Sequence, residues 1–333
     1  MTTSSSSTPS IIHYEREEKL NSQEDMVGHQ ISYRSGYFCN SRGYKLVCQE
    51  WIPENPKGIV FILHGYGDHG QHMLADDAKE FARKQYASYI FDQQGHGLSE
   101  GLPAFIQDFD DLMEDSIQFI DDIASRFPKQ KRFVYSSSMG GAIGLLVSLK
   151  KPEIFNGGLI LLAPLIKLDD HMVPNQMIVN LLTWVSGYFP SLPIVPGDNV
   201  NALNIKDPKK RAEHANHPLT YKGRARLGTG VAILKVTSKL QQQMANVNVP
   251  LLILHGSEDK VSSPLVSQEL YKVAKSQDKS LKIYPGMWHS LTSEPESDIV
   301  YGDIVHWMEE RLFTQTLMSI ITPVPESTGD ASF

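Results

Sequence analysis

The sequence has few of the residues that form covalent cross-links or metal sites. Its only two cysteines, Cys39 and Cys48, flank a predicted hairpin turn at positions that are not opposite one another, which argues against a disulfide between them. There is no Cys-x-x-Cys pair and no histidine-rich ligand spacing. We therefore expect neither a disulfide framework nor a structural metal.

The chain also lacks long apolar segments and an excess of positive charge. No run of about twenty apolar residues occurs, and the N-terminus has neither the basic segment nor the apolar core of a secretion signal. The formal net charge is -7, with no dense stripe of lysine and arginine, which disfavours a nucleic-acid partner. These absences predict a soluble, cytoplasmic protein, and they leave room for reversible contact with a membrane surface.

Length and composition indicate one large domain with an insertion, or two domains. The 333 residues are 41% hydrophobic and 21% charged, which is ordinary for a globular protein. Residues 1–28 are rich in Ser and Thr and then charged, so we predict a disordered tail there, and a flexible tail at 315–333. The predicted core comprises 29–165 and 246–314, with 166–245 inserted as a cap.

Short apolar runs alternate with helical patterns along the core. The alternating pattern of 31–51 predicts an antiparallel hairpin at a sheet edge. Unbroken apolar runs typical of buried strands recur at 58–63, 157–164 and 250–255. Strands that alternate with helices predict an α/β fold, with a mainly parallel central sheet and helices on both faces.

One stretch, 133–142, reads as a strand that turns sharply into a helix. In such an elbow the exposed residue needs small neighbours two positions before and after it, because the strand and helix backbones nearly touch there. Ser138 has Ser136 and Gly140 at those positions, whereas an exposed Ser137 would have much larger side chains there. We therefore predict that Ser138 is the exposed nucleophile, with Ser136 in place of the usual glycine.

Two further residues complete a pattern for acyl transfer. A nucleophilic serine needs a base and an acid that orients the base, and one common chain order is serine, acid, histidine. Asp259 follows one predicted strand and His289 follows the next, so both are expected at the same sheet edge as Ser138. Glu258 is the neighbouring alternative for the acid. A single Asp or His in a loop is usually structural, but three in this order are difficult to obtain by chance.

The donors for an oxyanion are expected from the backbone. The N–H of Met139 lies at the start of the elbow helix, and that of Tyr66 lies in a glycine-rich loop after a buried strand. His64 and His96 are expected to brace loops.

The insertion has a broad apolar face on its predicted helices. Packing of this face onto the core is one interpretation, and a lid over an apolar substrate pocket is the other; both can hold at once. The residues that form the face are Met172, Met177, Ile178, Leu181, Leu182, Trp184, Val185, Tyr188 and Phe189.

Several short motifs within residues 30–313 form a recognisable set: His64-Gly65-Tyr66-Gly67, Gly95-His96-Gly97-Leu98-Ser99-Glu100-Gly101, Ser138-Met139-Gly140-Gly141, Asp170-His171-Met172-Val173-Pro174, Asp207-Pro208, His255-Gly256-Ser257-Glu258-Asp259 and Tyr284-Pro285-Gly286-Met287-Trp288-His289. In these motifs the chain resembles the monoglyceride lipase family of α/β-hydrolases, most closely its lysophospholipase-like and caffeoylshikimate-esterase-like branch. The resemblance implies a cofactor-free serine hydrolase that acts on monoacylglycerols, lysophospholipids or other carboxylic esters.

The leading hypothesis is therefore a monoacylglycerol lipase or lysophospholipase that works through an acyl-enzyme and takes a small ester or lipid as its partner. An esterase for phenolic, caffeoyl-type esters is the alternative with the same chemistry. A peptidase on this scaffold and a non-catalytic binding module stay open, whereas epoxide or haloalkane hydrolysis would need a carboxylate in place of Ser138. The apolar cap allows transient contact with a membrane surface.

Overall fold

The computed structural model describes residues 11–20, 30–168, 175–195 and 200–321, without the side chains of residues 200–201 and 313–321. Within these residues the chain forms a nine-stranded sheet in the order β1-β2-β3-β5-β4-β6-β7-β8-β9. The strands are β1 (His13–Leu20), β2 (Ile31–Cys39), β3 (Lys45–Pro53), β4 (Gly58–Leu63), β5 (Tyr86–Phe91), β6 (Arg132–Ser137), β7 (Gly158–Leu162), β8 (Leu251–Gly256) and β9 (Lys279–Tyr284).

The predicted α/β fold is confirmed. Strands β1, β2, β3 and β5 pair antiparallel, and the pairs from β5 through β4 and β6 to β9 are parallel. The helices are α1 (Met73–Arg83), α2 (Phe109–Arg126), α3 (Met139–Lys150), α4 (Gln176–Ser186), α5 (Val200–Asn204), α6 (Pro208–Asn216), α7 (Leu227–Gln243), α8 (Pro264–Val273) and α9 (Ser297–Ile321).

The central strands are buried on both faces, which explains their unbroken apolar runs. In β4, Phe61 belongs to the cluster that packs against α2 and α3, and its neighbour Ile62 belongs to the cluster that packs against α1 and α9. Successive side chains of a strand point to opposite faces, so an alternating pattern is not possible where both faces are covered. Because these central strands run parallel, their carboxyl ends open at one edge of the sheet, where loops hold the polar residues.

The prediction of a disordered tail at residues 1–28 is wrong for part of that segment. β1, His13–Leu20, pairs antiparallel with β2 at the sheet edge, and Ile12 just before it is buried in the core. An edge strand gains backbone hydrogen bonds without burying its side chains, and the side chains of β1 are mostly exposed. The low apolar content of residues 1–28 therefore gave no indication of this strand. Residues 1–10 and 21–28 lie outside the described residues.

The C-terminal tail also begins later than predicted. Helix α9 continues to Ile321, beyond the expected boundary at 314. The reason is visible in the sequence, which has no glycine or proline between Leu312 and Thr322 to end a helix. Residues 322–333 lie outside the described part of the chain.

The predicted cap segment contains α4 to α7 between β7 and β8. Helix α7 packs against α2 and α3, so core packing accounts for that helix, whereas α4 exposes most of its apolar side chains. Residues 169–174 and Pro196, which include the Asp170–Pro174 motif and Met172, lie outside the described residues. No helix in the described ranges is both long enough and apolar enough to cross a bilayer.

Candidate active site

The elbow is a single strained residue between β6 and α3. Ser138 has φ 54° and ψ -116°, in the left-handed region that side chains other than glycine rarely adopt. Its N–H donates to the Leu162 carbonyl at 2.9 Å, and its carbonyl accepts from the N–H groups of Gly141 and Leu165, each at 2.9 Å. Neighbouring β7 thus holds the strained turn, and the Ser138 side chain is lifted above the sheet edge.

The small-residue requirement that singled out Ser138 is visible in the packing. A Cβ atom at Gly140 would lie 2.1 Å from the Leu63 carbonyl oxygen, so no larger residue fits there. Ser136 fits because it faces Gly144, where a Cβ atom would come within 2.6 Å of the Ser136 Oγ. The departure from the usual elbow glycine is therefore accommodated one helical turn away.

The structure brings the three residues of the predicted triad together. His289 Nε2 lies 2.8 Å from Ser138 Oγ, and His289 Nδ1 lies 2.6 Å from Asp259 Oδ2. Because Asp259 can only accept, Nδ1 carries the proton and Nε2 is free to accept from the Ser138 hydroxyl. The neighbouring Glu258 is exposed, whereas Asp259 is buried against the histidine.

Several donors hold the Asp259 carboxylate in its charged form. Its Oδ1 accepts from the N–H groups of Val261 at 2.7 Å and Ser262 at 3.1 Å. Its Oδ2 also accepts from the Ser262 hydroxyl at 2.9 Å and lies 2.9 Å from His255 Nε2. Burial alone would raise the pKa of Asp259, but the charge of His289 and hydrogen bonds from His255 and His289 hold this pKa well below its ordinary value.

The loop that carries His289 is fixed by contacts on both sides. Gly256 at the end of β8 allows close approach, because a Cβ atom there would lie 2.3 Å from the carbonyl oxygens of Met287 and Trp288. The N–H of Trp288 donates to Glu294 Oε1 at 2.8 Å. The base is thus positioned by backbone contacts next to it as well as by its carboxylate.

The two backbone N–H groups predicted as oxyanion donors belong to residues that line the pocket at Ser138. Tyr66 and Met139 both line it, and neither N–H has an acceptor within the described part of the chain. A Cβ atom at Gly65 would be 3.3 Å from the Ser138 Cβ, which shows how closely the loop approaches the elbow. Free N–H groups beside a nucleophile can stabilise negative charge on a substrate oxygen.

His64 and His96 brace loops, as their positions predicted. His64 Nε2 accepts from the Gln93 N–H at 2.8 Å, so its Nδ1 carries the proton and donates to the Gly65 carbonyl at 2.8 Å. Burial lowers the pKa of His64 well below its ordinary value, which keeps the ring neutral. His96 Nδ1 lies 3.1 Å from the Gln94 carbonyl oxygen.

Sequence reasoning missed four buried residues that support the site: Asp92, His255, Ser262 and Glu294. Asp92 accepts from the Gly70 N–H at 2.7 Å and from the Leu98 N–H at 2.8 Å, and so ties two loops together. Asp92 and His255 each stand at the end of an apolar strand, which is a signal that sequence reading could have used. Ser262 and Glu294 give no such signal, because their partners are known only from the fold.

Both apolar and polar side chains line the pocket above Ser138. Apolar side chains from β7, its following loop and α7 contribute to the lining: Leu162, Leu165, Leu168 and Ile233. Asp68, Asn204 and His214 supply polar groups to the same pocket. Asn204 Oδ1 and His214 Nδ1 are buried and have no hydrogen-bond partner in the described chain.

Comparison with known sequences identifies relatives over most of the chain. Residues 54–296 match the family described as serine aminopeptidase, S33. The caffeoylshikimate esterase of Arabidopsis thaliana is 32% identical, with 87% of this chain and 89% of the relative covered. The human monoglyceride lipase is 29% identical, with 84% of this chain and 91% of the relative covered.

Solved structures resemble the fold. The monoacylglycerol lipase of Paleococcus ferrophilus is 21% identical with a TM-score of 0.70, and the match covers 80% of this chain and 99% of that one. A soluble variant of the Saccharomyces cerevisiae monoglyceride lipase, in complex with a substrate analog, is 22% identical with a TM-score of 0.67, covering 92% and 96%.

These matches confirm the resemblance to monoglyceride lipases inferred from the motifs. The relatives named above are lipases and esterases, so the interpretation as a non-catalytic binding module is not favoured. The family match spans well over half of the chain. The chain therefore belongs to the serine aminopeptidase S33 family of α/β-hydrolases and is a serine hydrolase of carboxylic esters.

Proposed function

We propose that this enzyme is a monoacylglycerol lipase or lysophospholipase whose catalytic residues are Ser138, His289 and Asp259. The observation that carries the proposal is the unbroken hydrogen-bonded chain from Ser138 through His289 to Asp259, beside a pocket lined by both apolar and polar side chains. An ester of a long acyl chain and a polyol combines the same two kinds of group.

The geometry supports a two-step acyl transfer. Ser138 Oγ attacks the acyl carbon while His289 Nε2 takes its proton, and the N–H groups of Tyr66 and Met139 stabilise the oxyanion. His289 then gives that proton to the leaving alcohol, and water hydrolyses the acyl-enzyme by the reverse route. Asp259 keeps the imidazole in the required tautomer and stabilises its charged form. No step needs a cofactor.

The pocket and the relatives support the substrate class. A long acyl chain suits the apolar lining, where Leu165 and Ile233 contribute, since burying each methylene contributes about 0.8 kcal/mol. The unpaired atoms of Asn204 and His214 are suitable partners for glycerol hydroxyls. Relatives named monoglyceride lipase in human and yeast point to the same class.

A phenolic ester is the second candidate, because the plant relative at 32% identity is named a caffeoylshikimate esterase. A panel of a monooleoyl glycerol, a lysophosphatidylcholine and a caffeoyl ester separates the candidates by kcat/KM on the purified full-length enzyme. We expect kcat/KM for at least one of the two lipids to exceed kcat/KM for the caffeoyl ester by at least about tenfold. The monooleoyl glycerol is the lipid for which we expect the higher value.

Ser138→Ala is the control for this panel, and we expect it to abolish turnover of every ester. Preference for the caffeoyl ester would replace the substrate assignment. Full activity of Ser138→Ala would refute the proposed nucleophile.

We also propose that the apolar face of α4 contacts lipid surfaces when the enzyme takes its substrate. The helix carries no charged residue, and it exposes 60% of Leu181 and 66% of Trp184. Monoacylglycerols and lysophospholipids reside in lipid surfaces, and an exposed apolar patch on a soluble enzyme is typical of an interaction site. Cys39 and Cys48 are free thiols and Cys39 is exposed, which supports the proposed cytoplasmic location.

A further inference from the structure

Asp259 has a second histidine partner besides His289. His255 Nε2 lies 2.9 Å from Asp259 Oδ2, the same oxygen that His289 Nδ1 approaches at 2.6 Å. On the other side of the His255 ring, Nδ1 lies 2.7 Å from Ser267 Oγ. Two Ser-His pairs, Ser138 with His289 and Ser267 with His255, therefore converge on one oxygen of the carboxylate.

The neighbours of His255 determine where its proton lies. Its Nε2 faces two acceptors, Asp259 Oδ2 and the Ser262 carbonyl oxygen at 3.3 Å, so this nitrogen carries the hydrogen. Nδ1 is then the acceptor, and the Ser267 hydroxyl donates to it. Ser267 on α8 thus fixes the tautomer in which His255 can donate to Asp259.

The pair around His255 is closed to substrate. His255 is fully buried and Ser267 is 1% exposed, whereas Ser138 lines the open pocket. A hydroxyl without access to an ester cannot act as a nucleophile, and a buried histidine has no route by which to exchange protons with a leaving group. Within the described part of the chain, His255 is linked to the proposed mechanism through the carboxylate of Asp259 and the neighbouring Ser262 hydroxyl, which lies 3.4 Å from its Nε2.

We propose that His255, held by Ser267, is a positioning residue that fixes the Asp259 carboxylate and limits how strongly this carboxylate attracts the proton of His289. The inference rests on the catalytic roles proposed above. Each donor to Oδ2 shares the negative charge of the carboxylate, so the loss of one donor leaves more charge for the His289 imidazolium. His289 would then hold its proton to a higher pH and act as a base over a narrower range.

The surroundings of Asp259 allow the effect of His255 on the proton affinity of His289 to be measured. Among the described residues, the titratable groups that contact its carboxylate are His255 and His289, and its remaining donors are the N–H groups of Val261 and Ser262 and the Ser262 hydroxyl. A change at His255 therefore reaches the catalytic base through Asp259 Oδ2 and through the Ser262 hydroxyl, which lies 3.4 Å from His255 Nε2 and 3.3 Å from His289 Nδ1.

The test compares His255→Phe, which removes the donor, with His255→Gln, whose amide N–H can still donate to Asp259. The readout is kcat/KM for a p-nitrophenyl ester from pH 5 to 9, which does not depend on the natural substrate. For His255→Phe we expect the acidic limb to move up by about 0.5 to 1 pH unit and the plateau to fall about 10-fold. In His255→Gln, the position of the acidic limb and the height of the plateau should both return most of the way to the wild-type values.

Ser267→Ala provides a second variant that keeps the buried ring and removes only the hydroxyl that orients it. We expect a shift of the acidic limb in the same direction, by about 0.3 pH unit. Ser116→Ala is the matched control, because Ser116 is a fully buried serine whose hydroxyl donates to Leu112 within α2. It should leave the pH profile unchanged. Labelling of Ser138 by a fluorophosphonate shows which variants are folded.

An unshifted acidic limb in labelled His255→Phe, or equal shifts in the Phe and Gln variants, would overturn the inference. If His255→Phe does not fold, a wild-type profile for Ser267→Ala would overturn it. These results leave the proposed catalytic roles intact, provided that Ser138→Ala is inactive on the same ester. Retained activity of Ser138→Ala would instead refute those roles, and the inference with them.

Discussion

The loops at the carboxyl edge of the sheet and helix α4 of the cap hold their side chains in opposite ways. At the sheet edge Asp259 and His289 are buried and paired: Asp259 is 6% exposed and accepts hydrogen bonds at both oxygens. On α4 the apolar groups are exposed, and Met177 reaches 83%. Burial by itself favours apolar side chains in the interior and polar side chains at the surface, so both regions show the reverse of this preference.

Under the proposed function, this difference separates the chemistry at the sheet edge from substrate capture at α4. Proton transfer needs atoms held within a few tenths of an ångström, and strand ends with paired polar groups provide that rigidity. Capture of an amphiphile needs an accessible apolar surface, and an insertion can expose one without weakening the core. Changes at the sheet edge should therefore alter turnover, and changes on α4 should alter the encounter with lipid.

The largest effect is expected at the triad. Ser138→Ala and His289→Ala should each lower kcat by about 10⁴ to 10⁶-fold, and Asp259→Asn by less, since each residue acts within one unit. Steady-state turnover of a soluble ester with thermal unfolding as the folding control measures this. A mild loss of kcat in Ser138→Ala with a severe loss in Ser137→Ala would show that the nucleophile is Ser137 and not Ser138.

The next largest effect is expected from Gly140→Ala, which tests the rigidity of the elbow. The added Cβ would lie 2.1 Å from the Leu63 carbonyl, so the strand and helix must separate and carry Ser138 with them. We expect kcat/KM to fall at least about 100-fold, with a lower melting temperature. Gly302→Ala is the matched control, because nothing lies within 4 Å of its added Cβ. Equal activities of the two variants would contradict the account.

Substitution of α4 should separate lipid binding from chemistry. Leu181→Ser combined with Trp184→Ser should reduce sedimentation with phosphatidylcholine vesicles about tenfold, since it removes two large exposed apolar groups. Turnover of a soluble ester should stay within about threefold. Leu265→Ser on α8, which is 70% exposed outside the cap, is the control that should still bind vesicles. Undiminished binding of the α4 variant would show that this face is not the contact.

The cap meets the loop before α1 at a histidine cluster that includes His214 of α6, and we expect acid to weaken this contact. His69 and His217 rings lie 4.5 Å apart, with His72 and His214 beside them. Burial, with repulsion from neighbouring histidines, lowers the pKa of His69 to about 3 and that of His214 to about 4. The unfolded chain then binds more protons below about pH 6.5, so these groups cost stability as pH falls towards 4.

Thermal unfolding between pH 7 and 4 checks this expectation. We predict that His214→Gln loses less melting temperature on acidification than the wild type does, by a few degrees. The difference between the two proteins is the measured quantity, because burial also raises the pKa of Asp68 to about 6 and so contributes with the opposite sign in both. Parallel curves for the two proteins would rule out the contribution of His214.

The smallest effect is expected at Ser136. Its hydroxyl is buried and has no hydrogen-bond partner in the described chain, and the space beside it is provided by Gly144. Ser136→Gly should preserve activity within about threefold, because Ser138 keeps its small neighbours. A large gain in kcat would show instead that Ser136 strains the site.

Sequence reasoning found the residues whose chemistry or size is restricted locally. Ser138 followed from its small neighbours, and Asp259 and His289 followed from their places after apolar strands. It did not find β1, because an edge strand is stabilised by backbone hydrogen bonds to β2 that leave no apolar pattern. The end of α9 was also placed too early, although the sequence lacks a residue that would stop the helix.

The sequence by itself determined the alternation of strands and helices in the core, the elbow and the three types of residue that acyl transfer requires, because each depends on neighbours along the chain. Only the tertiary structure decided that Asp259 and not Glu258 faces His289, that Gly144 makes room for Ser136, and that His255 shares the carboxylate. Those facts depend on distances between segments far apart in sequence, which local patterns do not encode.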